Sequence, residues 1–220
     1  MDGMNMEKWK AMTPHEKREH IWEYYGRAII VVLIIIATLS WCLYEGLSKR
    51  DPQMTVIMLN MPDGNMGQSG FEGFLQEYGY EVYPGAVQMI NHLGIYTEST
   101  SPDIIQENYE NVQTLHALLS AGDKDLIFGT GQWYEETLIH SGALMDLSKV
   151  LPESVLEALG DAVKYSEATE EEPSYPCAID LRDNAWLKQS GYYTQCYVGV
   201  ATSTDDVQIA TEFLTYILGQ

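Results

Sequence analysis

The feature that most limits what this chain can fold into is an uncharged, apolar run from Ala28 to Tyr44. Extended to Leu47, the segment forms a helix of roughly 30 Å, which matches the hydrocarbon core of a bilayer. Aromatic residues flank both of its ends, as in the interfacial belts of membrane-spanning helices: Trp22, Tyr24, Tyr25, Trp41 and Tyr44. The sequence therefore predicts a transmembrane anchor helix over residues 28–47, with the lipid bilayer as its partner.

Charge on either side of the run predicts the orientation of this anchor. Five lysine or arginine side chains precede it, whereas only Lys49 and Arg50 closely follow it. The positive-inside rule then places residues 1–27 in the cytoplasm and residues 48–220 outside the cell membrane, in a single-pass topology. A 27-residue start without a small-x-small cleavage site indicates an uncleaved signal anchor, and Trp41 before Cys42 does not fit a bacterial lipoprotein signal.

The segment before the anchor carries its own helix-start signal. Thr13 and Pro14 are followed by Glu16, which is the spacing of a capping box with proline at the first helical position. We therefore expect a cytoplasmic helix that continues into the membrane.

The net charge of −20 is placed unevenly along the chain. Residues 1–27 balance to zero, whereas residues 51–220 carry 26 acidic and five basic side chains, a balance of −21. Such a domain repels phosphate backbones, which excludes nucleic acid as a partner. Cations, basic peptides and neutral ligands remain compatible, and solubility alone is the simpler reason for the charge.

Short apolar runs alternate with helical patterns in the outer segment. The runs predicted as buried strands are Met54–Leu59, Asp125–Phe128 and Tyr197–Ala201. Ser101-Pro102-Asp103 starts a helix that ends at Gly122, and its predicted apolar face is formed by Ile105, Tyr109, Val112, Leu115, Leu118 and Leu119. A final helix spans Val207–Leu218. This alternation predicts an α/β domain with a mostly parallel sheet and flanking helices.

The order of these residues resembles a known family. Asp125-Leu126-Ile127-Phe128, the turn Gly129–Gly131 and the phrase Ser141–Leu147 are similar to a segment of type 2 periplasmic binding proteins, the extracellular solute-binding subunits of ABC importers. The stretches Tyr175–Leu181 and Tyr197–Leu218 are similar to the returning part of the same lobe. The resemblance covers residues 53–218 and implies transport of a small solute or peptide, with an ABC permease or another membrane protein as partner.

The chain also departs from that family. Only about 25 residues separate Val150 from Tyr175, too few for the second lobe that these proteins insert there. The outer segment is therefore interpreted as one lobe of a binding protein, fixed to the membrane by a helix. A single lobe cannot close around a ligand, so binding would need a partner chain or a homodimer for its other wall.

Ligands of open α/β sheets lie at the carboxyl ends of the strands, which selects the candidate ligand-binding residues. They are Asn60, Asp63, Thr130, Gln132, Trp133, Tyr134 and Asp180. Trp133 and Tyr134 could stack on a sugar or grip a peptide, or they could simply cover the core. The backbone N–H groups of Gly129–Gly131 could hold an anion.

The sequence is also compatible with a function other than solute binding. A tethered lobe that has lost solute binding would be an interaction or scaffold domain at the cell surface, and its 15 tyrosines suit that role. No catalytic or metal-binding motif is present in the sequence, so we expect neither an enzyme nor a cofactor. Cys177 and Cys196 could form a disulfide or remain two buried thiols.

Overall fold

The computed structural model describes residues 12–48, 50–61, 68–96, 101–169, 173–189 and 195–219. The chain divides into two compact units, Met1–Arg50 and Asp51–Gln220. The candidate site residue Asp63 lies outside the described residues.

The first unit is built on one long helix, α1 (Pro14–Ser48). The predicted capping box at its start is confirmed, because the Thr13 N–H donates to Glu16 Oε2 at 2.7 Å and the Glu16 N–H donates to Thr13 Oγ1 at 3.4 Å. Within this helix, the segment Tyr25–Tyr44 is long and apolar enough to cross a membrane.

The second unit is an α/β domain in which the described residues form one mixed, six-stranded sheet. Its strands are β1 (Met54–Leu59), β2 (Val87–Leu93), β3 (Leu126–Gly129), β4 (Val163–Tyr165), β5 (Pro176–Asp180) and β6 (Tyr197–Val200). They are arranged in the order β2-β1-β3-β6-β5-β4. The apolar runs that predicted β1, β3 and β6 are confirmed, with each strand completely buried.

The expected dominance of parallel pairing is not confirmed. Among the described strands, β1 pairs in parallel with β2 and β3, whereas the pairs β3–β6, β5–β6 and β4–β5 are antiparallel. For the β4–β5 pair the physical reason is the length of the connection. Residues 166–175 between β4 and β5 are too few for a crossover helix, so the chain reverses direction there.

Helices cover both faces of the sheet. They are α2 (Gln68–Glu77), α3 (Pro102–Ser120), α4 (Glu153–Leu159), α5 (Ala185–Gln189) and α6 (Val207–Leu218). One face carries α2, α5 and α6 over an aromatic cluster in which Phe71 stacks on Phe213 at 5.1 Å. The other face carries α3 and a π-helical turn, Tyr134–Leu138.

The apolar face predicted for α3 is only partly correct. Leu115 is buried and Val112, Leu118 and Leu119 pack on the core, but Ile105 and Tyr109 are 54% and 62% exposed. The amino-terminal half of the helix is attached by amide hydrogen bonds instead. The Asn108 side chain bonds to both backbone groups of Tyr96, and Asn111 Nδ2 donates to the Gly94 carbonyl oxygen at 2.7 Å.

The two cysteines of the second unit are separate free thiols. Cys177 and Cys196 are both buried, but they belong to the core clusters on opposite faces of the sheet. Burial raises the pKa of each thiol to about 12, so neither is a reactive thiolate at neutral pH.

Candidate functional site

A single row of residues marks one edge of the sheet. This edge contains the carboxyl ends of β2, β1, β3 and β5 and the amino end of the antiparallel strand β6. Leu93, Leu59, Gly129, Tyr197 and Asp180 are successive register partners across β2, β1, β3, β6 and β5. Four strand spacings of about 4.8 Å make this row roughly 19 Å long. The edge is therefore wider than a small solute, and it divides into a centre and two flanks.

Asn60 closes the crevice between β1 and β3. This crevice is the switch point of the sheet, because the chain leaves β1 toward β2 on one side and later returns to β3 on the other. Asn60 has a left-handed φ of 56°. Its Nδ2 donates to the carbonyl oxygens of Ile95 (2.8 Å) and Thr130 (3.0 Å), and its Oδ1 accepts from the Ile95 N–H. The side chain of Asn60, which was predicted to contact a ligand, thus holds three segments of the chain together.

Tyr134 fills the centre of the edge. Its ring is completely buried, is stacked on Tyr197 with centroids 5.5 Å apart, and lies where a Cβ on Gly129 would be. Its hydroxyl donates to the Ile127 carbonyl oxygen at 2.9 Å. This burial places the Tyr134 side chain in the core, which is the alternative role that the sequence left open for it.

Neither buried tyrosine at the centre is set up for acid–base chemistry. Burial raises the pKa of Tyr134 well above its ordinary value. Burial, together with a hydrogen bond to Glu135, raises the pKa of Tyr197 as well. Both hydroxyls therefore stay protonated and act as hydrogen-bond donors.

The other predicted contacts lie apart from one another. The Thr130 N–H donates to the Leu59 carbonyl oxygen at 3.2 Å, and Gln132 Nε2 donates to Glu136 Oε1 at 2.9 Å. Trp133 is half-buried against the core. Asp180 lies three strands away from β1, roughly 14 Å from Asn60. One small solute cannot touch all of these side chains.

Open space remains on the flank beside β1 and β2. A cleft of about 420 Å³ opens there. Its lining residues come from the end of β1, from β2 and the segment after it, and from α3: Asn60, Met61, Asn91, His92, Leu93, Gly94, Tyr96 and Glu107. This volume is within the range of small-molecule sites. Apart from Asn60, none of these residues was predicted from the sequence.

A second cleft of about 360 Å³ lies on the opposite flank, beside β4 and β5. It is lined by Asp161, Ala162, Lys164, Asp180, Arg182 and Asp183. Asp180 was predicted for the site, whereas Lys164 and Arg182 were not. Their positive charges in a strongly acidic domain are the signal that could have selected them.

The amino-terminal edge of the sheet carries a buried carboxylate, Asp125. Its Oδ2 accepts from the Thr55 N–H and its Oδ1 accepts from Thr204 Oγ1, both at 2.7 Å. Burial raises its pKa, the bonds from Thr204 and Thr55 oppose that rise, and the nearby charges of Asp206 and Asp123 add to it.

This raised pKa predicts how stability depends on pH. The folded chain binds the Asp125 proton more tightly than the unfolded chain, so the contribution of this group grows as pH falls from 7 toward 4 and is lost as pH rises. We expect the melting temperature of the native chain, relative to an Asp125→Asn variant, to increase over that interval. Asp103→Asn, which changes an exposed aspartate, is the control for a change of surface charge. A flat difference for Asp125→Asn contradicts the assignment.

Comparisons with known proteins give no relative to this chain: no protein-family model, curated protein or solved structure matches it. Within the described ranges, no three acidic, histidine or cysteine side chains are grouped so that they could hold a metal ion.

Proposed function

We propose that this chain is a membrane-anchored, extracytoplasmic binding module that holds a small neutral or cationic solute in the cleft beside β1 and β2. The observation that carries the proposal is the cleft itself. It is the open space at the carboxyl ends of the two parallel strands, beside an edge whose centre Tyr134 and Asn60 close. We infer a single lobe of the solute-binding type, in keeping with the sequence resemblance.

The anchor and its orientation are part of this proposal. The apolar segment of α1 supports insertion in the membrane. The basic residues before that segment favour a cytoplasmic N-terminus, which leaves the acidic unit on the outer side.

The chemistry of the cleft favours a solute with a cationic or hydrogen-bonding group. Glu107 supplies a negative charge, His92 supplies imidazole nitrogens, and the ring of Tyr96 offers a face for stacking or for a cation. Tyr96 is 55% exposed, so the cleft has one open side. A partner protein or a second copy of the chain would complete the wall and strengthen the binding.

Thermal unfolding of the full-length chain in detergent micelles tests the proposal. A panel of amino acids, amines, sugars and short peptides is expected to contain a compound that raises the melting temperature in a saturable way. Tyr96→Ala and Glu107→Gln should each weaken that compound about fivefold or more, because each removes one of the groups that would hold it.

Tyr109→Ala provides the matched control, since Tyr109 is an equally exposed tyrosine on α3. It lies about 200° around the helix from Glu107, at roughly 100° per residue, and so faces away from the cleft. An equal loss of affinity in Tyr96→Ala and Tyr109→Ala would point to a general effect of surface aromatic residues. The proposal of solute binding is overturned if no compound in the panel raises the melting temperature in a saturable way.

A second function, a docking domain for another protein, is favoured by the exposed Ile105 and Tyr109. These side chains lie one turn apart on one flank of α3, where they form an apolar patch. If the solute panel is negative, a membrane protein that crosslinks to the native chain and is lost from an Ile105→Ser/Tyr109→Ser variant would support this function. Retention of the crosslink in that variant would exclude the patch.

A further inference from the structure

We propose that the cleft beside β4 and β5 is a binding site for a single carboxylate group, held by Lys164 and Arg182. This inference is independent of the solute cleft beside β1 and β2, which lies on the opposite flank of the sheet. It starts from the placement of the few basic side chains: the outer unit has five against 26 acidic ones, and two of the five line this one cleft beside Asp161, Asp180 and Asp183.

Arg182 is held in a fixed orientation by a buried partner. Its Nε and Nη2 donate to Asp180 Oδ2 at 2.8 and 2.5 Å, and its backbone N–H donates to Asp180 Oδ1 at 3.0 Å. The Asp180 side chain is only 5% exposed, whereas that of Arg182 is 54% exposed. Three of the five guanidinium N–H groups lie outside this ion pair, and their planar arrangement matches the two oxygens of a carboxylate.

The register of the sheet brings Lys164 to the same cleft. Lys164 on β4 pairs with Ala178 on β5, and Asp180 lies two residues further along β5. The side chains of Lys164 and Asp180 therefore share one face of the sheet as diagonal neighbours, about 7–8 Å apart. The sheet thus places the Lys164 ammonium group on the same side as the guanidinium that Asp180 orients.

The surrounding charges select a ligand with one negative charge. Asp161 and Asp183 also line the cleft, and the outer unit as a whole carries −21. A dianion such as phosphate doubles the attraction to Lys164 and Arg182, but it also doubles the repulsion from the aspartates and from the rest of the unit, whose summed charge is negative. The shared chemistry is therefore a carboxylate, which either a small organic acid or the C-terminus of a peptide can supply.

Nuclear magnetic resonance of the full-length chain in micelles can test this site through the Nε–H signals of its four arginines. The Arg182 signal is identified by its absence from an Arg182→Gln variant. We expect acetyl-Gly-Gly with a free carboxylate to shift that signal saturably in the millimolar range, and acetyl-Gly-Gly-amide to leave it unchanged. Acetate separates the two sources: saturation by acetate indicates a small acid, and a response to the peptide alone indicates a peptide terminus.

Variants separate a built site from the general effect of charge. Lys164→Gln leaves the Asp180–Arg182 pair intact and should weaken acetyl-Gly-Gly about fivefold. Lys149→Gln removes the same charge from an exposed lysine that pairs with Asp146, outside the cleft, and should change affinity less than about twofold. The proposal is overturned if the two variants lose affinity equally. It is also overturned if inorganic phosphate binds more tightly than acetyl-Gly-Gly, or if the amide shifts the Arg182 signal as much as the free carboxylate does. None of these results depends on the solute cleft.

Discussion

Replacing Tyr134 by alanine is expected to lower the free energy of unfolding by about 3–5 kcal/mol, the range for truncating a large, fully buried aromatic side chain. The ring fills the centre of the carboxyl edge, where it is stacked on Tyr197 and packed against the bare backbone of Gly129. Its removal leaves a cavity and takes one hydrogen bond from the Ile127 carbonyl oxygen. Chemical denaturation of the full-length chain, followed by tryptophan fluorescence, measures the loss.

Two variants give this prediction its controls. Tyr134→Phe keeps the ring and removes only the hydroxyl bond, so it should cost about 1 kcal/mol. Tyr109→Ala removes an exposed tyrosine and should cost about 0.5 kcal/mol or less. A Tyr134→Ala variant as stable as Tyr109→Ala would show that the ring does not fill the edge.

Replacing Asn60 by alanine is expected to cost about 3 kcal/mol. Three hydrogen bonds to Ile95 and Thr130 are lost, at about 0.5–1.5 kcal/mol each, and alanine adds strain at a φ of 56°. Asn60→Gly isolates the hydrogen bonds, because glycine adopts a positive φ without that strain.

Amide hydrogen exchange locates the effect of the Asn60 variants. Both should expose the backbone around Ile95 and Thr130 while protection in α6 is reduced only through the global loss of stability. If Asn60→Ala and Asn60→Gly are as stable as the native chain, the Asn60 side chain does not hold the segments at the switch point together. It would then be available to a ligand.

Strands β1, β3 and β6 could be predicted from the sequence because they are buried on both faces. A short, continuous apolar run such as Met54–Leu59 is typical of a strand covered on both sides, and six of six residues there are buried. The direction of each strand was harder to predict from the sequence. An apolar run has the same pattern in both directions, so the antiparallel pairs of β5 and β6 followed only from the structure.

The candidate site was less predictable than the fold. Sequence position placed Asn60, Thr130 and Asp180 correctly at strand ends, but it could not tell a side chain that faces solvent from one that bonds to its own backbone. Tyr134 illustrates the limit. It follows a glycine turn, as a ligand contact would, yet the missing side chain of Gly129 creates the space that its ring occupies.

The edge filled by Tyr134 also bears on the heat of binding. A solute-binding cleft that closes over its ligand removes apolar surface from water, which gives a negative change in heat capacity. Here the centre of the edge is already buried, and a ligand on either flank would meet charged and polar side chains such as Glu107 or Arg182. Calorimetry at several temperatures should therefore give a binding enthalpy that is almost independent of temperature.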